Sequence, residues 1–368
     1  MNRYKADIEE SKRRVEAWWN HELLDRVVIK ATAPKSSQGA YAETVAGGKN
    51  AGSEALAKWF TDPERVIPGL KKDLANTFFG GEAFPVMFPV SIGIVVILAN
   101  YLGCPAHYRT TETVWSDPIL ERWENRPEFK SDLSNPWWRI SEVLMKAAVE
   151  QADGYFVGAP ALNGPTQILD ALRGTERFLM DFYDHQDCIK PAFAELNRVW
   201  YDYWVECTKI IQPLGGYFYW MGIWSDLPST DLQSDVSCMV SQEQFDEYFL
   251  PFIAEQAEMA DRTIYHLDGP GAVKHLDSLL KIDRLNGIQW VRGDGAKPTV
   301  EWIPLMRKIQ DAGKLVFTSC EKDEVEPLIR QLNPAGLMLE VTGCQDEGEA
   351  QRLLADARRW TGQRRTRP

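Results

Sequence analysis

Apolar positions along this chain fall into two alternating rhythms. Short β-prone runs lie at 27–33, 84–88, 154–158, 217–221, 263–267, 287–291, 315–318 and 337–341. Helical spacing fills most of the intervals between them. The last four runs begin about 22 to 28 residues apart, the length of one strand, one helix and two short loops. Strands separated by helices run parallel, because each crossover carries the chain back. Eight such runs predict an α/β fold, a (β/α)8 TIM barrel with an N-terminal helical elaboration. A doubly wound open sheet is the alternative, but no Gly-x-Gly-x-x-Gly follows any run.

Helix signals agree with this grammar. Ile8, Val15, Trp18 and Trp19 alternate with Lys12, Arg13, Arg14 and Glu16, which predicts an amphipathic helix over 9–21. Ser241-Gln242-Glu243-Gln244 is a capping box ahead of Phe245, Phe249 and Leu250. Asp323, Glu324 and Glu326 load acids into another first turn. Residues 35–53, rich in Ser, Gly and Ala, read as a loop. The expected organisation is one domain over 1–368. Residues 1–85 form an elaboration carrying the first strand, and 358–368 form a basic tail that frays.

Composition narrows the function. The 368 residues are 44% apolar and 26% charged, as in a globular protein with a sizeable core. A net charge of −12 argues against nucleic acid and against an anionic membrane surface. The opening residues hold no apolar core, so no secretory signal is expected. The stretch 86–102 contains Pro89, Gly93 and Asn100 and predicts a buried strand and helix rather than a membrane span. The six cysteines form no CxxC pair, and a cytoplasmic protein with reduced thiols is expected.

The barrel rule places chemistry at the C-terminal ends of the strands. The fifth run ends in Tyr265-His266-Leu267-Asp268-Gly269-Pro270-Gly271. Residues two apart on a strand share a side, so His266 and Asp268 can reach one ligand, a metal or a substrate. The plain alternative is a strand-end histidine satisfied by backbone. Cys344 or Glu340, near the end of the last run, offers a third metal ligand to His266 and Asp268. The fourth run supplies Trp220, Trp224 and Asp226, followed by Asp235 in a polar loop. The sixth supplies Gln289, Trp290, Arg292 and Asp294. Glu82 precedes the second run. Trp224, Trp290 and Tyr265 are expected to wall the pocket, and Glu82, Asp226 and Asp235 to orient polar groups. His275 reads as structural.

Tyr265-His266-Leu267-Asp268-Gly269-Pro270-Gly271, His275-Leu276-Asp277 and Ile288-Gln289-Trp290 resemble a subgroup of the uroporphyrinogen decarboxylase-like superfamily. Trp18-Trp19 with Asp25-Arg26, and Ala312-Gly313-Lys314, resemble it too, so the likeness spans nearly the whole chain. The resemblance implies one of two activities: cofactor-free decarboxylation, or cobamide-dependent methyl transfer with zinc held by a His-x-Cys pair and a later Cys. His266 matches the family histidine, Asp268 stands where the first Cys would be, and Cys344 matches the later Cys. A carboxylate in place of a thiolate makes such a site harder and weakens the case for thiol methylation. The Arg-rich opening motif of the decarboxylases is missing from this sequence.

The reading that results is a zinc-assisted methyltransferase acting on a small substrate with a corrinoid-carrying partner protein, in a chain expected to form a homodimer. The alternatives are a metal-free decarboxylase or lyase using His266 and Asp268 as acid–base groups, and a non-catalytic barrel that binds a corrinoid or another ligand.

Overall fold

A computed structural model describes residues 2–35, 53–90, 97–108, 114–293 and 295–365. Its strands are β1 (Val28–Pro34), β2 (Thr77–Gly81), β3 (Val86–Met87), β4 (Ala106–Tyr108), β5 (Val114–Ser116), β6 (Phe156–Val157), β7 (Ser229–Gln233), β8 (Arg262–Asp268), β9 (Gly287–Val291), β10 (Leu315–Glu321) and β11 (Leu337–Thr342). Seven of them form one sheet in the order β2-β1-β11-β10-β9-β8-β7. Every neighbouring pair from β1 to β7 in that order is parallel; β2 lies antiparallel on β1. β3 and β6 form a separate parallel pair, and β4 and β5 a small hairpin.

The parallel strands are joined by helices that bury one stripe on the sheet. Ile303, Met306 and Ile309 do this in Ile303–Asp311, at the spacing that stacks side chains on one helix face. The sheet's other face has its own core. Val28, Ile264, Leu315, Phe317 and Met338 cluster there with Phe218 and Met221. Val28 and Ile264 belong to β1 and β8, with three strands between them, so the sheet curls round a shared interior. Trp18 and Trp19, from the helix Ile8–Trp19, belong to this inner core. The Trp19 indole N–H donates to Trp224 O at 3.0 Å.

Several expectations change. The aromatic run 217–221 is no strand; it contributes only an antiparallel bridge between Tyr217 and Ser225. The strand of that unit is β7, whose Ser-Thr-Asp-Leu-Gln carries polar groups on its inner face and so lacks the apolar pattern that marks the other strands. The basic tail does not fray at 358: the helix Glu347–Arg365 continues, Arg358 pairs with Asp25 at 2.5 Å, and Thr361 is fully buried. Within 86–102, β3 and the helix Ile97–Tyr101 are as expected, while 91–96 lie outside the described residues. So does nearly all of the expected 35–53 loop. Among the described residues no helix is long and apolar enough to cross a membrane. All six cysteines are free.

Candidate active site

The C-terminal ends of the parallel strands gather polar side chains. β8 delivers His266 and Asp268 from alternate positions. Gly269 follows with φ 73°, a left-handed turn that glycine adopts freely. Asp268 sits at the start of the short helix Gly269–Ala272 but caps none of its N–H groups, which leaves its carboxylate free for the site. Asp235 comes from the turn just after β7, where Gln233 is in register with His266. Ligand atoms of Asp235, His266 and Asp268 all lie within 4.8 Å of one another, the one such group among the described residues.

The protonation pattern follows from the partners. His266 Nδ1 faces Gln289 Oε1 at 2.6 Å, on the adjacent strand β9. An amide oxygen only accepts, so Nδ1 carries the proton and the Nε2 lone pair is left free. Nε2 lies 3.9 Å from Asp235 Oδ1. Asp235 Oδ2 accepts from the Gln167 amide at 2.8 Å, but Oδ1 is buried without a hydrogen-bond partner among the described residues. Burial pushes the Asp235 carboxyl above its ordinary range, and the Asp268 charge adds to that against the pull of His266 and Gln167. The Trp220 ring packs edge-on to the imidazole, with centroids 5.1 Å apart.

Beside this group lies a cavity of about 240 Å³, lined by Trp220, Gln289, Lys30, Glu340, Phe84 and Phe317 among others. Lys30 of β1 donates to Met221 O at 2.6 Å and pairs with Glu340 Oε1 of β11 at 2.8 Å. Burial acts to raise Glu340, but the Lys30 charge and hydrogen bond, with the Ser319 hydroxyl, outweigh it and hold the carboxyl below its usual value. Asp231 of β7 accepts from Met221 N at 2.9 Å, and desolvation raises it to about 7.

The sequence-predicted residues divide. Trp220, Gln289, His266, Asp268 and Asp235 meet. Tyr265 and Trp290 do not, because each neighbours an inward residue on its strand and points to the outer face. Tyr265 is buried in the helix-side core, and Trp290 packs on Trp302 with centroids 4.7 Å apart. Trp224 and Asp226 precede β7 rather than follow a strand, so they sit at the opposite end. There Trp224 joins the inner core with Trp19, and Asp226 pairs with Arg262, the first residue of β8, at 2.7 Å. Glu82 is buried and grips Arg26 through both oxygens at 2.8 Å. Cys344 lies beyond β11, past Gly343 with φ 81°, outside the ligand group; its charged neighbours are Glu349, Lys322 and Asp346, and burial raises its thiol. Arg292 donates to Ala296 O, and Asp294 lies outside the described residues. His275 is structural as expected: it is buried, stacks on Phe245 and faces Ser237 O at 2.9 Å.

Lys30, Asp231 and Gln167 belong to the site's surroundings although sequence reasoning gave them no role there. The signal for Lys30 was strand parity: two positions after Val28, it must share the inner face.

A curled parallel sheet with catalytic-type residues at its strand ends defines an α/β architecture. A methyltransferase from Methanosarcina mazei shares the fold, with a TM-score of 0.59 over 95% of this chain and 98% of that one, at 12% sequence identity. No protein-family model and no curated protein matches the sequence.

Proposed function

We propose that this protein is a metal-dependent enzyme of the methyltransferase type, on a sheet that closes into a (β/α)8 barrel. Eight strands support closure: β1, β3, β6 and β7 to β11. So do hydrogen bonds outside the main ladder, from Glu82 N to Ile29 O, Phe156 N to Pro85 O and Ala159 N to Phe218 O. The reaction class is supported by the likeness in fold to the M. mazei methyltransferase and by the resemblance carried by 265–271.

The observation that carries the metal is Asp235 Oδ1. A buried carboxylate oxygen with no partner is costly, and a cation held with His266 Nε2 and Asp268 removes that cost. The donors are one imidazole nitrogen and two carboxylates. They fit zinc, and they are harder than a thiolate set, which lets manganese or cobalt compete. Bound there, the ion supplies Lewis-acid polarisation of a substrate atom. Gln289 holds the imidazole in the tautomer that coordinates, as a metal-ligating histidine generally requires. Trp220 fixes the ring edge-on. A corrinoid on a partner protein is the methyl carrier in this reading.

Titration with zinc, cobalt and manganese tests it. We expect about one ion per chain in the wild type, and a loss of affinity of more than about 100-fold in His266→Ala and Asp235→Asn. A wild-type chain that takes up none of the three ions ends the metal reading. One observation favours a second reading, a metal-free lyase: the raised Asp235 carboxyl beside His266 is itself an acid–base pair. Turnover of a carboxylated substrate that a chelator leaves unchanged would select it.

A further inference from the structure

The cavity beside His266 contains a built-in ion pair whose chemistry the metal reading does not use. Lys30 is only 11% exposed. Of its three N–H donors one goes to Met221 O and one to Glu340 Oε1, and the third has no protein acceptor among the described residues. Gln289 spends its amide oxygen on His266, and among the described residues its NH2 group has no protein acceptor. Both residues line the same cavity. Glu340 is committed on both oxygens, to Lys30 and to Ser319. Around these donors the lining is aromatic: Trp220, Phe84 and Phe317, with Lys30 Nζ 5.0 Å from the Phe317 centroid.

We propose that this cavity binds a small uncharged molecule with an apolar or aromatic body and one oxygen acceptor, which takes the free N–H groups of Lys30 and Gln289. The proposal rests on the reading of this mouth as a substrate site, and it does not need the metal. The volume of about 240 Å³ is below the ~300–1,000 Å³ of pockets for drug-sized ligands, so the occupant is about one ring with one substituent. Charge selection follows from the ion pair. A carboxylate meeting Lys30 must also approach Glu340, and an ammonium meeting Glu340 and the aromatic faces must approach Lys30. Either adds an uncompensated charge beside a pair that is already neutral as a whole. A neutral oxygen pairs with donors already in place. Asp231, beneath Lys30, keeps its proton below neutral pH and adds no net charge there.

The test is a binding series on the purified full chain at pH 6, read by calorimetry: benzyl alcohol, benzoate, benzylammonium and toluene. They share a ring and differ in charge and in the oxygen. The wild type should bind benzyl alcohol at least about tenfold more tightly than the other three. Glu340→Gln leaves the Lys30 charge unopposed and should raise benzoate affinity at least about tenfold relative to the alcohol. If that variant does not fold, Lys30→Met with Glu340→Met replaces the pair by apolar groups and should erase the preference for alcohol over toluene. Benzoate or benzylammonium binding the wild type as tightly as the alcohol overturns the proposal. So does a wild type that takes none of the four at millimolar concentration, or a double variant that keeps the preference for the alcohol. Metal titration of the same preparations separates the two readings. A wild type that takes no metal but discriminates in this series loses the metal reading alone.

Discussion

The two ends of the parallel strands both hold acids and, apart from Glu340, which Lys30 and Ser319 hold down at the C-terminal end, they treat them in opposite ways. At the N-terminal end Glu82 accepts from Arg26 twice, from Ile29 N at 2.9 Å and from Arg14 at 3.4 Å. Hydrogen bonds from Arg14 hold Asp25 down at about 2. Arg262 is shared between Asp226 and Glu16, each at 2.7 Å. At the C-terminal end Asp235 is pushed up, Asp231 is raised to about 7, and Asp235 Oδ1 has no partner. An acid surrounded by donors is finished as structure. A missing partner alone does not mark a site, since Glu16 Oε2 and Asp170 Oδ1 lack one too; among the described residues only Asp235 Oδ1 belongs to a group with a histidine and a second carboxylate. The comparison separates residues that the sequence grouped together, since Glu82, Asp226 and Asp235 were all expected to orient polar groups of a ligand.

The largest effect should come from the satisfied end. Glu82→Ala leaves Arg26 as a buried charge without its bidentate partner, and Ile29 N without an acceptor. Removing one partner of a buried pair costs about 3–5 kcal/mol. Urea unfolding should report that loss, while metal uptake by the folded fraction stays at the wild-type level. A loss of metal binding at full stability would place Glu82 in the site after all and undo the contrast between the ends.

The next effect has the opposite sign and comes from the open end. The folded chain holds the Asp231 proton more tightly than the unfolded chain, whose carboxyl titrates near about 4. Stability from this group is therefore lost as pH rises from about 4 through about 7. Asp25 works the other way: its contribution is present above about 4 and is lost as pH falls toward about 2. The full Asp231 shift corresponds to about 4 kcal/mol, and its partial access to water reduces that to about 2. Asp231→Asn should thus stabilise the protein by about 2 kcal/mol at pH 8 and by almost nothing near pH 4. Equal effects at both pH values would mean that Asp231 is not a strained acid.

Much of this division was legible in the chain, and what was missed has definite causes. β9 was located to the residue, and β8, β10 and β11 nearly so, because each is an apolar run between helices. Parity could have gone further. Once His266 faces inward Tyr265 must face outward, and Gln289 and Trp290 cannot line one pocket together. The failure at 217–233 was of another kind. Tyr217 to Trp224 has the composition of a strand, whereas the real strand, β7, carries Asp231 and Gln233 on its inner face because that face borders the site. The polar inner face of β7 erased the pattern that would have located it. With β7 misplaced, Trp224 and Asp226 were assigned to the wrong end, and Asp235 was not paired with His266 as a ligand. Glu340 was noted at the last strand, but its pairing with Lys30 depends on β1 lying beside β11, an adjacency between the two ends of the chain that no local spacing reveals.

The smallest effect sharpens the comparison most cheaply. Asp226 is an acid at the satisfied end, but its side chain is 51% exposed, and Arg262 keeps Glu16 and the face of Trp19 when Asp226 is lost. Exposed pairs contribute about 0–1 kcal/mol. Asp226→Asn should therefore lower stability by less than about 1 kcal/mol and leave both metal uptake and the preference for benzyl alcohol unchanged. The same carboxylate-to-amide change at Asp235 should abolish metal uptake. The two substitutions alter charge identically and differ in which end of the strands they touch. If Asp226→Asn weakened metal binding as Asp235→Asn does, net charge rather than partner geometry would be setting affinity. The unpartnered oxygen of Asp235 would then no longer mark the site.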